Sequence, residues 1–282
     1  MNSHSESQNK EIYIQCNKAA EETEQTYTKR TKPAIREAIS AVLDEIDYVW
    51  TVIDRGGYRR LQNPINTTTR YMLEAKTLRY PVELREALPD PATIRTRADA
   101  EELEILLIML DMADTLYYDL LYDLRAYVGV VVDIKMPGLS STERTAEIDR
   151  VLSHQCSPSI TRRRRLAEAA VKTGQVISKK ILQGAVANRD KADVKRDVTE
   201  TIEKREKTQT RRQIYTECTM AMNEVGASDE PGRKYRYRIM DADACEICRA
   251  LDSLTFFYTD RQPGINWPPM HDYCRCWTED VE

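Results

Sequence analysis

Residues 99–127 carry the longest unbroken helical pattern in the sequence, and a helix of that length limits the folds open to a chain of 282 residues. Apolar side chains recur there three or four positions apart, which places them on one helix face. They are Leu103, Leu106, Leu110, Ala113, Tyr117, Leu120 and Leu124. The polar face of the same segment is almost wholly acidic. The pattern therefore predicts a long helix with an apolar stripe available for packing.

A second apolar stripe follows Pro33, with steps of four and three residues that are typical of a heptad-like helix face. Its members are Ile35, Ile39, Val42, Ile46, Val49 and Ile53. Pro33 suits the first turn of this helix, and Gly56-Gly57 ends it. Four prolines between 61 and 98 predict short helices and turns. The two stripes can pack on each other as a helical hairpin or on a partner.

The pattern that predicts secondary structure changes twice after residue 128. Residues 129–134 are rich in β-branched side chains and predict a short strand before the break at Pro137-Gly138. Helical patterning starts again at Ser141 and continues to about Val225. Three interruptions are expected in it, at 157–158, 184–190 and 206–210. Beyond Gly226, two segments alternate like strands, at 234–239 and 254–258.

These patterns predict a mainly α-helical protein with helical N-terminal and C-terminal halves, the second half ending in a small β-hairpin subdomain. We expect four segments along the chain. They are a polar N-terminal arm at 1–32 that orders only against a partner, a helical domain at 33–137, a basic helical part at 138–226, and a small β subdomain at 227–282.

Composition excludes some classes of protein. The 41% of apolar residues suffice for one large or two ordinary globular domains. No run approaches the roughly 18 apolar residues of a membrane span, and the first residues are too polar for a secretory signal. We therefore expect no membrane association and a cytosolic site of synthesis, where thiols stay reduced.

Four of the seven cysteines and one of the three histidines lie within residues 245–276. Cys245 and Cys248 form a C-x2-C pair, the spacing at which a tight turn directs two thiolates at one ion. The segment from His271 to Cys276 supplies H-x2-C-x-C, and 22 residues separate Cys248 from His271. Structural zinc takes four Cys or His ligands, usually as two pairs separated by a loop. The pattern therefore predicts one structural Zn²⁺ ion bound by four of five candidates: Cys245, Cys248, His271, Cys274 and Cys276. This ion would staple the β-hairpin subdomain at 227–282, which is thus expected to be a small β/zinc subdomain.

Other interpretations of these cysteines have less support. A redox C-x2-C is expected beside a βαβ pattern, which the sequence lacks, and disulfides require an oxidising compartment. The spacing leaves open whether Cys274 or Cys276 reaches the ion, because residues two apart on a strand share a face. Cys16, Cys156 and Cys218 have no such neighbours and are expected to be small apolar residues of the interior.

Charge is distributed unevenly along the chain. Residues 159–212 contain sixteen Lys or Arg against seven Asp or Glu, a balance of +9, whereas residues 98–124 contain eight acidic and no basic residues. Opposite lobes can serve two partners, such as double-stranded DNA and a protein surface, although solvated helix faces are also ordinarily charged. The run Arg162, Arg163, Arg164 and Arg165 is the candidate for phosphate contacts. Lys234, Arg236 and Arg238 alternate with tyrosines, which predicts either base stacking or an ordinary amphipathic strand.

Three features together resemble the Mu F-like minor head proteins of tailed phages, also called head morphogenesis proteins. The first is the ending, in which the Cys pair at 245–248 and Leu251-Asp252 precede Pro268-Pro269-Met270-His271 and Cys274-Arg275-Cys276. The second is a helical R-x-x-x-T-E segment at 212–217, and the third is a helix, glycine, helix region around Gly184. The resemblance spans about 159–277. The chain departs from the family pattern after Asp252, where the family usually has glycine and this chain has Ser253.

The resemblance implies a minor capsid protein of the virion, made in a bacterial host and associated with the portal and other head proteins. Such a protein is needed for head assembly or for DNA packaging and ejection, and more than one copy per particle is possible. Two other functions are open: an HNH-like nuclease and a general nucleic-acid-binding zinc module. A nuclease needs a general-base histidine beside further metal ligands, whereas residues 227–282 contain only His271. We therefore expect a non-enzyme.

Overall fold

The computed structural model describes residues 6–154, 161–240 and 243–281. Its helices are α1 (Glu6–Arg30), α2 (Lys32–Asp54), α3 (Thr67–Thr77), α4 (Val82–Arg85), α5 (Arg97–Lys135), α6 (Ser141–Ser153), α7 (Arg162–Val186), α8 (Lys191–Glu224) and α9 (Glu246–Leu251). Its strands are β1 (Lys234–Arg238), β2 (Thr255–Phe257) and β3 (Trp277–Val281). A search of these residues for a helix both long and apolar enough to span a membrane found none.

The chain divides into two compact units, each assembled from segments distant in sequence. The helical unit comprises Arg30–Tyr118 and Ile160–Gln209. The sheet-bearing unit comprises Met1–Lys29, Asp119–Ser159 and Thr210–Glu282, as far as these ranges are described. Helices α5 and α8 are each divided, with one part in the helical unit and the other part in the sheet-bearing unit. The four chain-order segments expected from the sequence stay a prediction.

The core of the helical unit is built from the two predicted apolar stripes together with α7 and α8. Ile39, Val42, Ile46 and Val49 of α2 are buried, as are Leu103, Leu106 and Leu110 of α5. Close approach of the helices depends on two glycines. A Cβ atom on Gly174 of α7 would lie 2.8 Å from a methyl group of Leu106, and one on Gly184 would lie 2.6 Å from a methyl group of Val194 in α8.

The core of the sheet-bearing unit includes the N-terminal helix. Tyr13 of α1 stacks on Trp277 of β3 with 4.6 Å between ring centroids, and its hydroxyl donates to the Thr278 carbonyl at 2.9 Å. Lys135 Nζ, at the end of α5, donates to the Tyr13 hydroxyl at 2.9 Å. Tyr127 of α5 donates to the Cys16 carbonyl at 3.4 Å. These contacts attach α1 to β3 and to the end of α5.

A three-stranded antiparallel sheet of order β2-β1-β3 completes this unit. Tyr235 lies opposite Phe256 and Asp280, and Arg238 lies opposite Trp277. Tyr235, Tyr258 and Trp267 form a buried aromatic cluster beneath the sheet. The expected fold class, mainly α with a small β structure at the C-terminal end, is confirmed, although the sheet has a third strand that the alternation at 234–239 and 254–258 did not reveal.

Two predictions about local structure were wrong. Residues 129–134 continue helix α5 and form no strand, because Val128, Val131 and Val132 extend its buried stripe and packing outweighs the weak strand preference of β-branched residues. The interruption expected at 206–210 is also absent, since α8 is continuous. Buried positions there are polar, Glu206 and Thr210, so they carried no apolar signal.

The N-terminal segment also differs from the expected arm. Residues 6–30 form α1, and its buried side chains are spaced by three, four and seven residues: Tyr13, Cys16, Ala20 and Tyr27. The stripe is narrow and contains small residues, so the polar composition concealed it. The interruption expected at 184–190 is confirmed by the turn between α7 and α8, whereas residues 157–158 and Cys156 lie outside the described residues.

Candidate metal centre

The five candidate ligands gather at the edge of the sheet through three local structures. Cys245 is the N-cap of α9, and its Sγ accepts the backbone N–H of Cys248 at 3.5 Å. His271 and Cys274 belong to one turn, closed by the Cys274 N–H donating to the His271 carbonyl at 3.2 Å. Cys276 directly precedes β3. The expected convergence of the C-x2-C pair and the H-x2-C-x-C segment is therefore seen in the fold.

The ligand atoms form two overlapping triads. Cys245, Cys248 and His271 lie within 4.8 Å of one another, and so do Cys248, Cys274 and Cys276. Cys248 belongs to both triads, and its Sγ lies 3.4 Å from His271 Nε2. A tetrahedral zinc site with ordinary bond lengths places its ligand atoms about 3.5–3.8 Å apart. The first triad is thus close to three corners of such a tetrahedron.

Hydrogen bonds orient the ligands from outside the cluster. His271 Nδ1 lies 2.8 Å from the backbone carbonyl of Asp272, a contact that directs Nε2 toward the thiols. The Tyr237 hydroxyl donates to Cys248 Sγ at 3.4 Å. From α8, Thr219 donates to the Cys274 carbonyl at 2.7 Å and Asn223 to the Cys276 carbonyl at 3.2 Å. Polar groups of β1 and α8 therefore position the cysteine segment.

Thr219, Asn223 and Tyr237 were not identified from the sequence as parts of the site. Thr219 and Asn223 lie four residues apart on one face of α8 and about fifty residues before the cysteines that they contact. No local spacing connects them with the ligands. Tyr237 had a weak signal, since the alternation of β1 predicted that it shares a face with Tyr235.

Electrostatics within the cluster favour thiolates at Cys274 and Cys245, but protonated thiols at Cys248 and Cys276. Hydrogen bonds from the thiols of Cys248 and Cys276 lower the pKa of Cys274 to about 2, and they raise the pKa of both donors. The backbone N–H of Cys248 lowers the pKa of Cys245. Burial opposes protonation of His271, but the Asp272 carbonyl and the neighbouring cysteines outweigh burial and raise its pKa. A cation at the centre would stabilise further thiolates, because metal-binding cysteines must be deprotonated.

The donor set fits a soft or borderline divalent cation. Thiolate and imidazole ligands suit zinc, whereas calcium and magnesium require oxygen ligands. Cys248, Cys274 and Cys276 are buried together with Tyr237, so the sulfur atoms are shielded from water. The geometry therefore supports a closed site of the structural type.

The arrangement around His271 does not match a nuclease centre. Its Nδ1 faces the backbone carbonyl of Asp272, whereas the Asp272 carboxylate lies 3.7 Å from Arg212 of α8. The two adjacent residues therefore do not form an Asp-His dyad. Because Nε2 faces the thiol of Cys248, the ring is placed as a ligand.

The arginine run at the start of α7 has neighbours within the helical unit. Arg163 pairs with Asp114 of α5 at 2.6 Å, and Arg164 pairs with Glu86 at 2.7 Å and with Glu168 at 3.0 Å. Arg162 is buried, and Arg165 also has an interaction partner. Part of the basic segment is thus neutralised by acidic residues, among them one from the acidic helix. Phosphate contacts by Arg162–Arg165 stay a prediction.

The alternating strand at 234–238 is amphipathic and buried on one face. Tyr235 and Tyr237 have no exposed surface, so their rings are not placed to stack on nucleic-acid bases. Arg236 and Arg238 both bond to Glu279 of β3, at 3.3 and 2.8 Å. The structure agrees with the interpretation of this segment as an ordinary amphipathic strand, and not with base stacking by its tyrosines.

Comparison with protein families gave one match, over residues 172–279, to the family described as phage Mu protein F like protein. No curated protein and no solved structure matched the chain. The matched range begins within α7, contains α8 and ends in β3, so it includes all five candidate ligands. The resemblance expected from the sequence is confirmed there, and residues 172–279 form a phage Mu protein F like region.

Proposed function

We propose that this protein is a minor head (head morphogenesis) protein of a tailed phage and a component of the virion. The match to the phage Mu protein F like family carries the proposal. The candidate metal centre lies inside the matched range, which is consistent with a structural element of that region. The protein is proposed to act without catalysis, by contacting other head proteins.

Purified particles provide the test of this proposal. Mass spectrometry of mature virions and proheads should detect the protein in both, at a low copy number relative to the major capsid protein. A host lysate fraction freed of particles serves as the control for contamination. Finding the protein only in that fraction would contradict a role in the head.

The metal centre is proposed to hold one Zn²⁺ ion with a structural role. Two thiolates from the start of α9, together with His271 and a thiolate from residues 274–276, would join the two segments across the apolar cluster that they share. Zinc binding would then contribute directly to the folding free energy of the sheet-bearing unit.

Elemental analysis of protein purified without added metal should give close to one zinc per chain. Removing it with a chelator under reducing conditions should lower the melting temperature, and restoring zinc should recover it. A Cys16→Ala variant is the matched control, because it removes a buried cysteine that belongs to neither group of candidate ligands. Folded, reduced protein without metal would rule out the zinc site.

Portal association is also proposed, although the acidic helix is less available for docking than its sequence indicates. The Tyr80 hydroxyl bonds to Asp111, and Arg163 pairs with Asp114. Asp123 is buried. The support for a portal partner is therefore the family match rather than the acidic face.

DNA contact through phosphates is the remaining part of the proposal, and the net positive charge of 159–212 supports it. The exposed lysines Lys172, Lys179 and Lys204 are better probes than the arginine run. Among the described residues they form no ion pair, whereas replacing the arginines would also remove intramolecular pairs.

Changing Lys172, Lys179 and Lys204 together to Gln should weaken binding to duplex DNA and make its salt dependence shallower, by about 0.9 in logarithmic slope for each phosphate that is no longer neutralised by a lysine. The control changes three exposed lysines outside the segment, Lys10, Lys29 and Lys32, to Gln. Equal effects of the two triple variants would show that binding depends only on net charge.

A further inference from the structure

The candidate metal centre contains five possible ligands, one more than a structural zinc ion accepts. The two triads share Cys248 but differ in their other members. No group of four lies within 4.8 Å among the described residues, so one thiol must complete the triad of Cys245, Cys248 and His271. The choice lies between Cys274 and Cys276.

His271 is held in the geometry of a ligand. The contact between Nδ1 and the Asp272 carbonyl leaves Nε2 directed at Cys248 Sγ, 3.4 Å away. The thiol of Cys245, at the N-cap of α9, lies within 4.8 Å of the ligand atoms of both Cys248 and His271. A site built from sulfur atoms alone would leave this oriented imidazole without a function.

Cys274 is the thiol placed to complete this triad. It shares a hydrogen-bonded turn with His271, since its N–H donates to the His271 carbonyl at 3.2 Å. The side chain of Cys276 contacts the Tyr237 hydroxyl and Cys274. The next residue, Trp277, is already paired with Arg238 in the sheet, which limits movement of Cys276 toward His271.

We propose that Cys245, Cys248, His271 and Cys274 bind the ion, and that Cys276 lies outside the coordination sphere, with its side chain close to Cys274. This inference rests on the proposed zinc site. It assigns Cys276 a positioning role, in which its contact with Cys274 helps to hold that ligand in place.

X-ray absorption spectroscopy of the zinc-loaded full chain tests the assignment. The wild type should show three sulfur ligands at about 2.3 Å and one nitrogen at about 2.0 Å. Cys276→Ser should keep this coordination, and its zinc affinity should fall by no more than about tenfold, because the replaced side chain is not a ligand. Cys274→Ser should lose one sulfur ligand, or bind zinc more than about a hundredfold more weakly.

Four sulfur ligands in the wild type would overturn the assignment, and so would loss of a sulfur ligand in Cys276→Ser. If Cys274→Ser does not fold, the comparison of Cys276→Ser with the wild type decides alone: unchanged coordination supports the assignment, and a loss of affinity beyond about a hundredfold refutes it. Absence of zinc from the folded wild type would instead refute the proposed metal site itself.

Discussion

Ser253 lies at the tight turn after α9, with φ at 66°, in the left-handed region that favours glycine. Glycine is the residue usual at this position in the family that the sequence resembles. The Ser253 N–H donates to the Tyr237 carbonyl at 2.8 Å, so the turn is anchored to β1. Ser253 therefore adopts a backbone conformation that costs free energy, which the fold of the cysteine-bearing segment imposes.

Replacing Ser253 with Gly should raise the unfolding free energy by roughly 0.5–1 kcal/mol, because relief of left-handed strain exceeds the added entropy of the unfolded chain. The exposed bond from Arg238 to the Ser253 hydroxyl, 3.2 Å long, would be lost at small cost. Urea unfolding measures the change. Ser228→Gly, at a loop position without positive φ, is the control and should destabilise. Equal losses from both variants would refute the argument.

Glu206 is a carboxyl group enclosed within the helical unit. It is 3% exposed, and its hydrogen bond with Thr173 of α7 only partly offsets the burial that raises its pKa to about 7. The folded state therefore retains a proton that the unfolded chain releases near pH 4.5. Between these two pH values the folded state binds more protons, so stability must fall as pH rises.

Glu206→Gln should remove this contribution and raise the unfolding free energy at pH 8 by roughly 1–3 kcal/mol, with little effect at pH 4. The difference between variant and wild type should develop between about pH 4.5 and 7. Thermal or urea unfolding across that range measures it. Glu203 is exposed on the preceding turn of α8, so Glu203→Gln is the control and should leave the unfolding free energy unchanged at both pH 4 and pH 8. A difference independent of pH would exclude the buried proton as its cause.

Helices α7 and α8 form an antiparallel hairpin whose closure depends on Gly184. Its position against Val194 leaves no room for a Cβ atom, which would lie 2.6 Å from a valine methyl group. Val194 is buried and its side chain is stiff, so it cannot yield easily. This contact explains the helix, glycine, helix pattern seen in the sequence.

Gly184→Ala should lower the unfolding free energy by roughly 1–3 kcal/mol, because overpacking outweighs the gain of about 1 kcal/mol in helix propensity. Val194→Ala should also destabilise, by leaving a cavity. The double variant should lose less than the sum of the two single losses, since the methyl groups that collide are gone. A double-mutant cycle from chemical denaturation gives this coupling, and additive losses would contradict the close contact.

At the scale of the whole molecule, each compact unit draws on segments from both halves of the chain. The sheet-bearing unit combines α1 and the end of α5 with α8 and the sheet. The break at Pro137-Gly138, which the sequence indicates as a domain boundary, therefore divides this unit. Tyr13 would be separated from Trp277, and Tyr127 would lose the C-terminal part of its core.

Residues 138–282 expressed alone should be poorly folded, whereas co-expression with residues 1–137 should restore a complex that co-purifies. Circular dichroism and hydrogen exchange of the fragment, compared with the complex and the intact chain, measure this. Strong amide protection of α8 in residues 138–282 alone would show that the domain boundary of the sequence was right and that the shared core is dispensable.

Structural elements could be predicted from the sequence where they depend on a local pattern of side chains. Helices α2 and α5 followed from apolar periodicity, and β1 and β2 from alternation. The segment at 129–134 was misjudged because its composition favours a strand, although Val131 and Val132 are buried as part of α5. Glu206 and Thr210 gave no apolar signal although they are buried.

The sequence by itself determined the helical class, the five candidate ligands and the resemblance to the phage Mu protein F like family, because these depend on periodicity and short spacings. Only the tertiary structure decided that His271 faces Cys248, that Thr219 and Asn223 of α8 hold the cysteine segment, and that part of the arginine run is paired with acidic residues. The reason is physical. These contacts join residues that are distant in the sequence, so they depend on how helices and loops pack, and no local pattern of side chains determines that packing.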